Sequence, residues 1–186
     1  VAALLLSRIL GLVRDTVMFG QFGVGLDTDA YRLAILIPDM IFMLVAGGGL
    51  SSAFIPVFSE YWHNDKREEA WKVFSVVVTL TSIVAIVLIV IAWIFTPQII
   101  RYFQDVKPDA VVPDAIFMSR VLLPAQFAFL VGSVLLATLY ARRNFWGPAL
   151  APNVYNIGII LGAAILPWAM GFGVESMAWG ALVGAL

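Results

Sequence analysis

Two arginines, Arg8 and Arg14, lie inside the first apolar stretch of the chain, in the run Ser7-Arg8-Ile9-Leu10-Gly11-Leu12-Val13-Arg14-Asp15. A charge at membrane depth costs roughly 2.5–3.5 kcal/mol on insertion scales, so it persists where it faces water, a partner or a ligand. A guanidinium is a planar fork that bonds two phosphate oxygens at once, and the chemistry to expect is a phosphate or diphosphate clamp. Six positions are about 240° around a helix and about 9 Å along it, so a straight helix cannot aim both arginines at one small target. A bend at Gly11, a large ligand, or pairing of one arginine with a neighbour would each resolve this. Ser7, Gly11, Arg14 and Met18 share a stripe that could present Arg14 to a cavity. Arg8, near the helix start, is equally well explained by reaching to the lipid headgroups. Arg8 and Asp15 share a stripe too, but about 10 Å of rise separates them.

Two carboxylates join these candidates. Asp29 follows Thr28, a candidate N-cap, and on spacing alone its best explanation is to satisfy free N–H groups and the helix dipole. Asp39 follows Pro38 deep in an apolar stretch. There it either pairs with Arg14, takes up a coupling cation or proton, or forms a purely structural buried pair. Arg120 is expected to reach the headgroups or to pair with Asp114. Asn153 and Asn156 are expected to bond between helices.

These residues sit in a chain of 186 residues that is 62% hydrophobic and 12% charged, with a formal net charge of −1. Its mean hydropathy is +0.97, and its apolar share is well above the roughly 45–50% of a soluble domain. The charge balance gives no reason to expect nucleic acid. The absence of cysteine excludes disulfides and thiolate chemistry, and the single histidine, His63, cannot build a histidine metal cluster or a catalytic triad. No glycine loop precedes a lysine and no paired catalytic carboxylates stand out, so nothing supports an enzyme. No metal site is expected.

A bilayer core of about 30 Å takes about 20 apolar helical residues. On that measure the chain is an all-α, polytopic membrane bundle of about six helices, near 1–22, 28–58, 72–95, 114–140, 148–168 and 174–186. The second is too long for one crossing, and Gly47-Gly48-Gly49 predicts a break or close backbone packing there. Residues 61–70 are expected to form a loop. The chain opens on Val1 and stops at Leu186 within apolar runs, so both ends are expected to be truncations, and a signal peptide fits poorly. Lys66, Arg67, Lys72, Arg142 and Arg143 fall on one side, which the positive-inside rule assigns to the cytoplasm together with the N-terminus. Trp62, Trp71 and Trp146 mark that interface, and Trp93 and Trp168 the other.

The ordered motifs resemble the MurJ/MviN family of lipid II flippases. The resemblance is carried by the run from Ser7 to Asp15, by Phe22-Gly23-Val24-Gly25 through Thr28-Asp29-Ala30, and by Ile37-Pro38-Asp39. It continues in Ser52-Ala53-Phe54-Ile55-Pro56-Val57-Phe58 with Glu60-Tyr61, and in Pro148-Ala149-Leu150-Ala151-Pro152-Asn153 with Asn156. It implies the first lobe of a larger two-lobe flippase in the bacterial inner membrane, which moves an undecaprenyl-diphosphate-linked headgroup by alternating access. It also implies cavity roles for Arg8 and Arg14 and a functional role for Asp29; Ser7 and Asp39 are further substrate-site candidates on the residues alone. The implied partners are lipid II or a similar polyprenyl-diphosphate-linked saccharide, membrane lipids and cell-wall synthesis proteins. No cofactor is implied, and membrane potential and a monovalent cation remain alternative drivers. One departure stands out: the stretch Met40-Ile41-Phe42-Met43-Leu44-Val45-Ala46-Gly47 lacks the charges usual in the family, and Asp39 stands where Asn is usual. Export of another lipid-linked oligosaccharide or of hydrophobic cations is therefore an alternative, as is a non-transporting scaffold that docks partners through residues 63–72.

Overall fold

The structure is a computed structural model that describes residues 2–46, 50–103 and 109–186. It consists of α1 (Ala2–Phe22), α2 (Leu26–Ala46), α3 (Leu50–His63), α4 (Arg67–Phe103), α5 (Val112–Ala141), α6 (Trp146–Met170) and α7 (Glu175–Ala185). A 3₁₀ turn at Asp109–Val111 leads into α5. There are no strands among the described residues. α5 lies at the centre and packs on α2, α3, α4 and α7, while α6 pairs with α7 and carries α1 on another face.

The 28–58 segment is two helices, α2 and α3. The Gly47-Gly48-Gly49 break predicted between them lies outside the described residues. α4 runs well past the 72–95 apolar core: its 37 residues span about 55 Å, nearly twice the bilayer's hydrocarbon thickness. Its charged start at Arg67, Glu68 and Glu69 and its end near Arg101 therefore project beyond the apolar layer. The expected loop at 61–70 shrinks to a turn, because α3 continues to His63 and α4 begins at Arg67. Asp65 takes a positive φ of 58° in that turn. Thr28 is not an N-cap. α2 starts two residues earlier, and the buried Thr28 hydroxyl donates back to the Gly23 carbonyl at 2.6 Å. That bond fastens the α1–α2 turn, in which Gly23 has a φ of 72° that a side chain would strain.

α4, α5 and α6 are each long and apolar enough to cross a membrane. α4 buries only Ala70, Thr81, Ala85, Ala92, Thr96 and Ile100, mostly at steps of four or seven. Val76, Leu80, Ile83, Val87, Val90 and Ile94 face outward. So large an apolar face suits a lipid surround.

Prolines inside the helices set the packing. Pro38 has no N–H for the Ala34 carbonyl four residues earlier, and Pro97 has none for Trp93. In lipid no water can take over, so a neighbouring group must. α5 supplies both. The buried Ser119 hydroxyl donates to the Ala34 carbonyl at 2.7 Å. The next residue, Arg120, donates from Nε to the Trp93 carbonyl over a longer 3.4 Å, and its guanidinium lies 4.4 Å from the Trp93 ring centroid. Arg120 is thus engaged by α4 instead of by Asp114.

α6 and α7 meet backbone to backbone. A Cβ on Gly162 would lie 2.6 Å from the Gly180 Cα and from the Ser176 carbonyl. A Cβ on Gly158 would lie 2.6 Å from the Gly184 Cα. Only glycine fits at Gly158, Gly162 and Gly180, and a Cβ on Gly184 would be tight against the Tyr155 carbonyl at 3.0 Å, a small-residue contact familiar in membrane bundles.

Thermal or chemical unfolding in detergent checks both features of this packing. Ser119→Ala costs about 0.6–1.7 kcal/mol, the range of interhelical membrane hydrogen bonds. It costs clearly less in a Pro38→Ala background, where the introduced alanine gives the Ala34 carbonyl an N–H from its own helix. Gly162→Leu destabilises by about 1–3 kcal/mol through overpacking. Gly132→Ala, whose Cβ would meet open space, is neutral or stabilises by up to about 1 kcal/mol.

Candidate functional site

Arg14 sits in the second half of α1, where the helix turns from an exposed face to a buried one. Leu5, Leu6, Ile9, Leu12 and Val13 are exposed, whereas Met18 is buried. Arg14 pairs with its neighbour Asp15: Nε donates at 3.0 Å and Nη2 at 2.8 Å, both to Oδ1. The side chains are 32% and 46% exposed, so the pair is held but still accessible. Arg14 does not form an ion pair with Asp39. It lies within electrostatic range of Asp39, Tyr31 and Tyr155. Among the described residues Arg14–Asp15 is the one ion pair.

Arg8 is exposed and Ser7 half-buried on the same helix, six and seven residues before Arg14. Asp29 is half-buried in the first turn of α2, its N–H donating to the Gly25 carbonyl at 3.1 Å. The structure therefore brings Arg14, Asp15 and Asp39 into one electrostatic neighbourhood, and it leaves Arg8, Ser7 and Asp29 elsewhere along their helices. The Nδ2 groups of Asn153 and Asn156, which were expected to bond between helices, donate within α6, to the Ala149 and Pro152 carbonyls at 3.0 and 3.1 Å.

Asp39 lines a cavity of about 360 Å³ between α2, α5 and α6. Each helix contributes residues from one face. α2 gives Asp39 and Phe42, α5 gives Gln126, Phe129, Ser133 and Leu136, and α6 gives Pro148, Ala151, Pro152 and Tyr155. The i, i+3, i+4 and i+7 spacings on these helices explain why those residues share a face. The aromatic rings interlock edge to face, Phe129 with Tyr155 at 4.8 Å and Phe42 with Phe129 at 6.4 Å. Gln126 and Tyr155 were not candidates on sequence grounds. A lone Gln in an apolar run signals polarity without showing which helix it faces.

At one end of the bundle Trp62, Trp71, Phe58 and Phe74 form an aromatic cluster. Arg67 and Arg142 lie over the same Trp62 ring, at 5.3 and 4.6 Å. The basic turns at 64–66 and 142–145 are thereby gathered at one end.

The described helices thus hold Arg14 and Asp15 half-buried and an exposed Asp39 beside a cavity lined mostly by apolar and aromatic side chains. The chain belongs to the lipid II flippase MurJ family, whose model matches residues 18–186. It is 30% identical over 97% of its length to the lipid II flippase MurJ of Thermosipho africanus, of which it covers 36%. It is 27% identical over 98% of its length to that of Burkholderia cenocepacia, again covering 36%. A solved structure of lipid II flippase MurJ in an inward closed conformation matches 99% of the chain with a TM-score of 0.80 at 31% identity. The chain covers 38% of that structure, so it spans little more than a third of the relatives it matches.

The Arg14–Asp15 contact generates one prediction. In a double-mutant cycle of Arg14→Gln and Asp15→Asn, unfolding in detergent should give a coupling of about 0.5–1 kcal/mol, as expected for a partly screened pair. A coupling of zero would show that the two residues do not support each other.

Proposed function

We propose that this chain forms the first lobe of a lipid II flippase in the bacterial inner membrane. In this reading the lobe rocks against a second lobe, and the lipid-linked headgroup crosses between them by alternating access. The family match over residues 18–186 carries the reading, and Arg14, half-buried among apolar helices, supplies its chemistry. Arg14 holds a diphosphate oxygen pair through its planar fork. Arg8 lies about two turns nearer the helix start and meets the headgroup at a different depth. Asp29, Asp39 and Ser7 contribute polar contacts along the same route. The basic turns around Arg67 and Arg142 face the cytoplasm, which puts the N-terminus there as well. Transport draws on the membrane potential or a monovalent cation.

The test uses the full protein that carries this chain, expressed in bacteria depleted of their own lipid II flippase. Wild type should restore growth. Arg14→Ala should fail at equal membrane expression, and Arg14→Lys should rescue only partly, because an ammonium cannot bond two oxygens in one plane. Full rescue by Arg14→Ala would remove the clamp. Failure of well-expressed wild type would remove lipid II as the substrate.

A further inference from the structure

The cavity between α2, α5 and α6 is not used by the arginine clamp, and its lining has a different chemistry. Asp39 brings a carboxylate to a wall that is otherwise mostly apolar and aromatic. Gln126 is 6% exposed, and its Oε1 has no hydrogen-bond partner among the described residues. A buried acceptor without a donor costs about 1–3 kcal/mol, so it marks a place where a donor is missing. Ser133 donates its hydroxyl proton to the Leu130 carbonyl at 2.7 Å, which leaves the oxygen lone pairs available. Asp39, Gln126 Oε1 and Ser133 Oγ thus supply acceptors around the cavity, beside the Tyr155 hydroxyl and the Gln126 amide N–H groups, which can also donate. Arg14 does not line it and is held by Asp15. The three charged groups of this neighbourhood carry one positive and two negative charges, so the cavity keeps an uncompensated negative charge.

From this lining we infer that the cavity is a binding site for a primary ammonium group on an organic molecule. The carboxylate of Asp39 supplies the counter-charge. Gln126 Oε1 and Ser133 Oγ accept N–H bonds, and the faces and edges of Phe42, Phe129 and Tyr155 receive the attached carbon chain and part of the charge. A volume of about 360 Å³ lies in the range of small-molecule sites and exceeds what a bare metal ion fills. Quaternary ammonium ions would gain the charge and the aromatic contact but offer no proton to Gln126. Two sources carry a primary ammonium: the free amine of a peptide-bearing headgroup, and a small free amine. The inference goes beyond the proposed transport of lipid II and does not depend on it.

The experiment titrates the full protein, purified in detergent, with n-butylammonium, tetraethylammonium and sodium chlorides at constant ionic strength, and follows binding by calorimetry. Wild type should bind butylammonium at least about tenfold more tightly than either competitor, a difference of one or two good polar contacts. Asp39→Asn should weaken butylammonium about tenfold or more. Gln126→Leu should reduce the preference for butylammonium over tetraethylammonium severalfold while retaining binding. The Gln126 variant decides the matter should Asp39→Asn fail to fold. Equal binding of all three cations, or tighter binding of sodium, would overturn the inference. So would unchanged affinity in folded Asp39→Asn. A second arm compares lipid II with its peptide amine free or acetylated. Weaker binding of the acetylated form by wild type, with a much smaller difference in Asp39→Asn, assigns the site to the headgroup. No effect of acetylation, with butylammonium still preferred, assigns it to a small free amine. A protein that complements a flippase-depleted strain yet shows no ammonium preference would refute this site and leave the flippase reading intact.

Discussion

A carbonyl that proline has deprived of its partner is the constraint on which this bundle is organised. Water would satisfy it in a soluble protein, but in hydrocarbon the donor must come from another helix. α5 provides two such donors from consecutive residues, Ser119 towards Ala34 of α2 and Arg120 towards Trp93 of α4. Consecutive residues project about 100° apart on a helix, and so one turn of α5 clamps two neighbours. Pro38 is also the residue before Asp39. The bond that satisfies the Ala34 carbonyl therefore helps set the register at which Asp39 and Phe42 face Gln126 and Phe129. The polar site is built on the repair of a broken hydrogen bond.

The third wall of the cavity is fixed by a different force. α6 reaches α7 through Gly158, Gly162, Gly180 and Gly184, where backbone atoms touch and dispersion replaces any hydrophobic driving force between helices. Tyr155, one turn before Gly158, is part of this contact, because its carbonyl would lie 3.0 Å from a Cβ on Gly184. The same residue lines the cavity and packs against Phe129. Close packing on one face of α6 thus holds the position of a binding residue on another.

Helix type and number were largely legible because long apolar runs have one stable form in lipid. Boundaries were less so. The 72–95 window marked where α4 is apolar, and the helix continues into polar sequence at both ends, since hydropathy measures the membrane and not the hydrogen-bond ladder. Thr28 had the composition of a cap, yet Gly23 and Gly25 had already let the chain turn, so α2 could start at Leu26. Arg14 and Asp39 were visible as charges in apolar surroundings. Their relation was not, because which helices become neighbours is decided by prolines and glycines acting across the bundle. Gln126, Ser133 and Tyr155 were hidden for the same reason: each is ordinary within its own helix, and only the meeting of three helices makes them a site.

The pairing of Arg14 with Asp15 bears on how the proposed transport can use a half-buried cation. An unpaired guanidinium at this depth would be costly while the site is empty and would hold an anion too firmly once it arrived. With Asp15 on Nε and Nη2 the guanidinium already has a counter-ion, and in the proposed reading an incoming phosphate either meets the remaining Nη1 edge or displaces the carboxylate. Displacement would make binding an exchange of partners, with a free-energy change set by the difference between two ion pairs and not by the whole of one. Such an exchange is weak enough to reverse when the surroundings change, which passage through a membrane requires. Asp39 strengthens the argument, because a second carboxylate within electrostatic range of the same arginine further reduces the advantage of a bound anion. If both proposed sites act, an anion here is best retained when its own molecule also carries a cation for Asp39. A headgroup with both a diphosphate and a free amine meets the two conditions at once, and a simple phosphate meets only one.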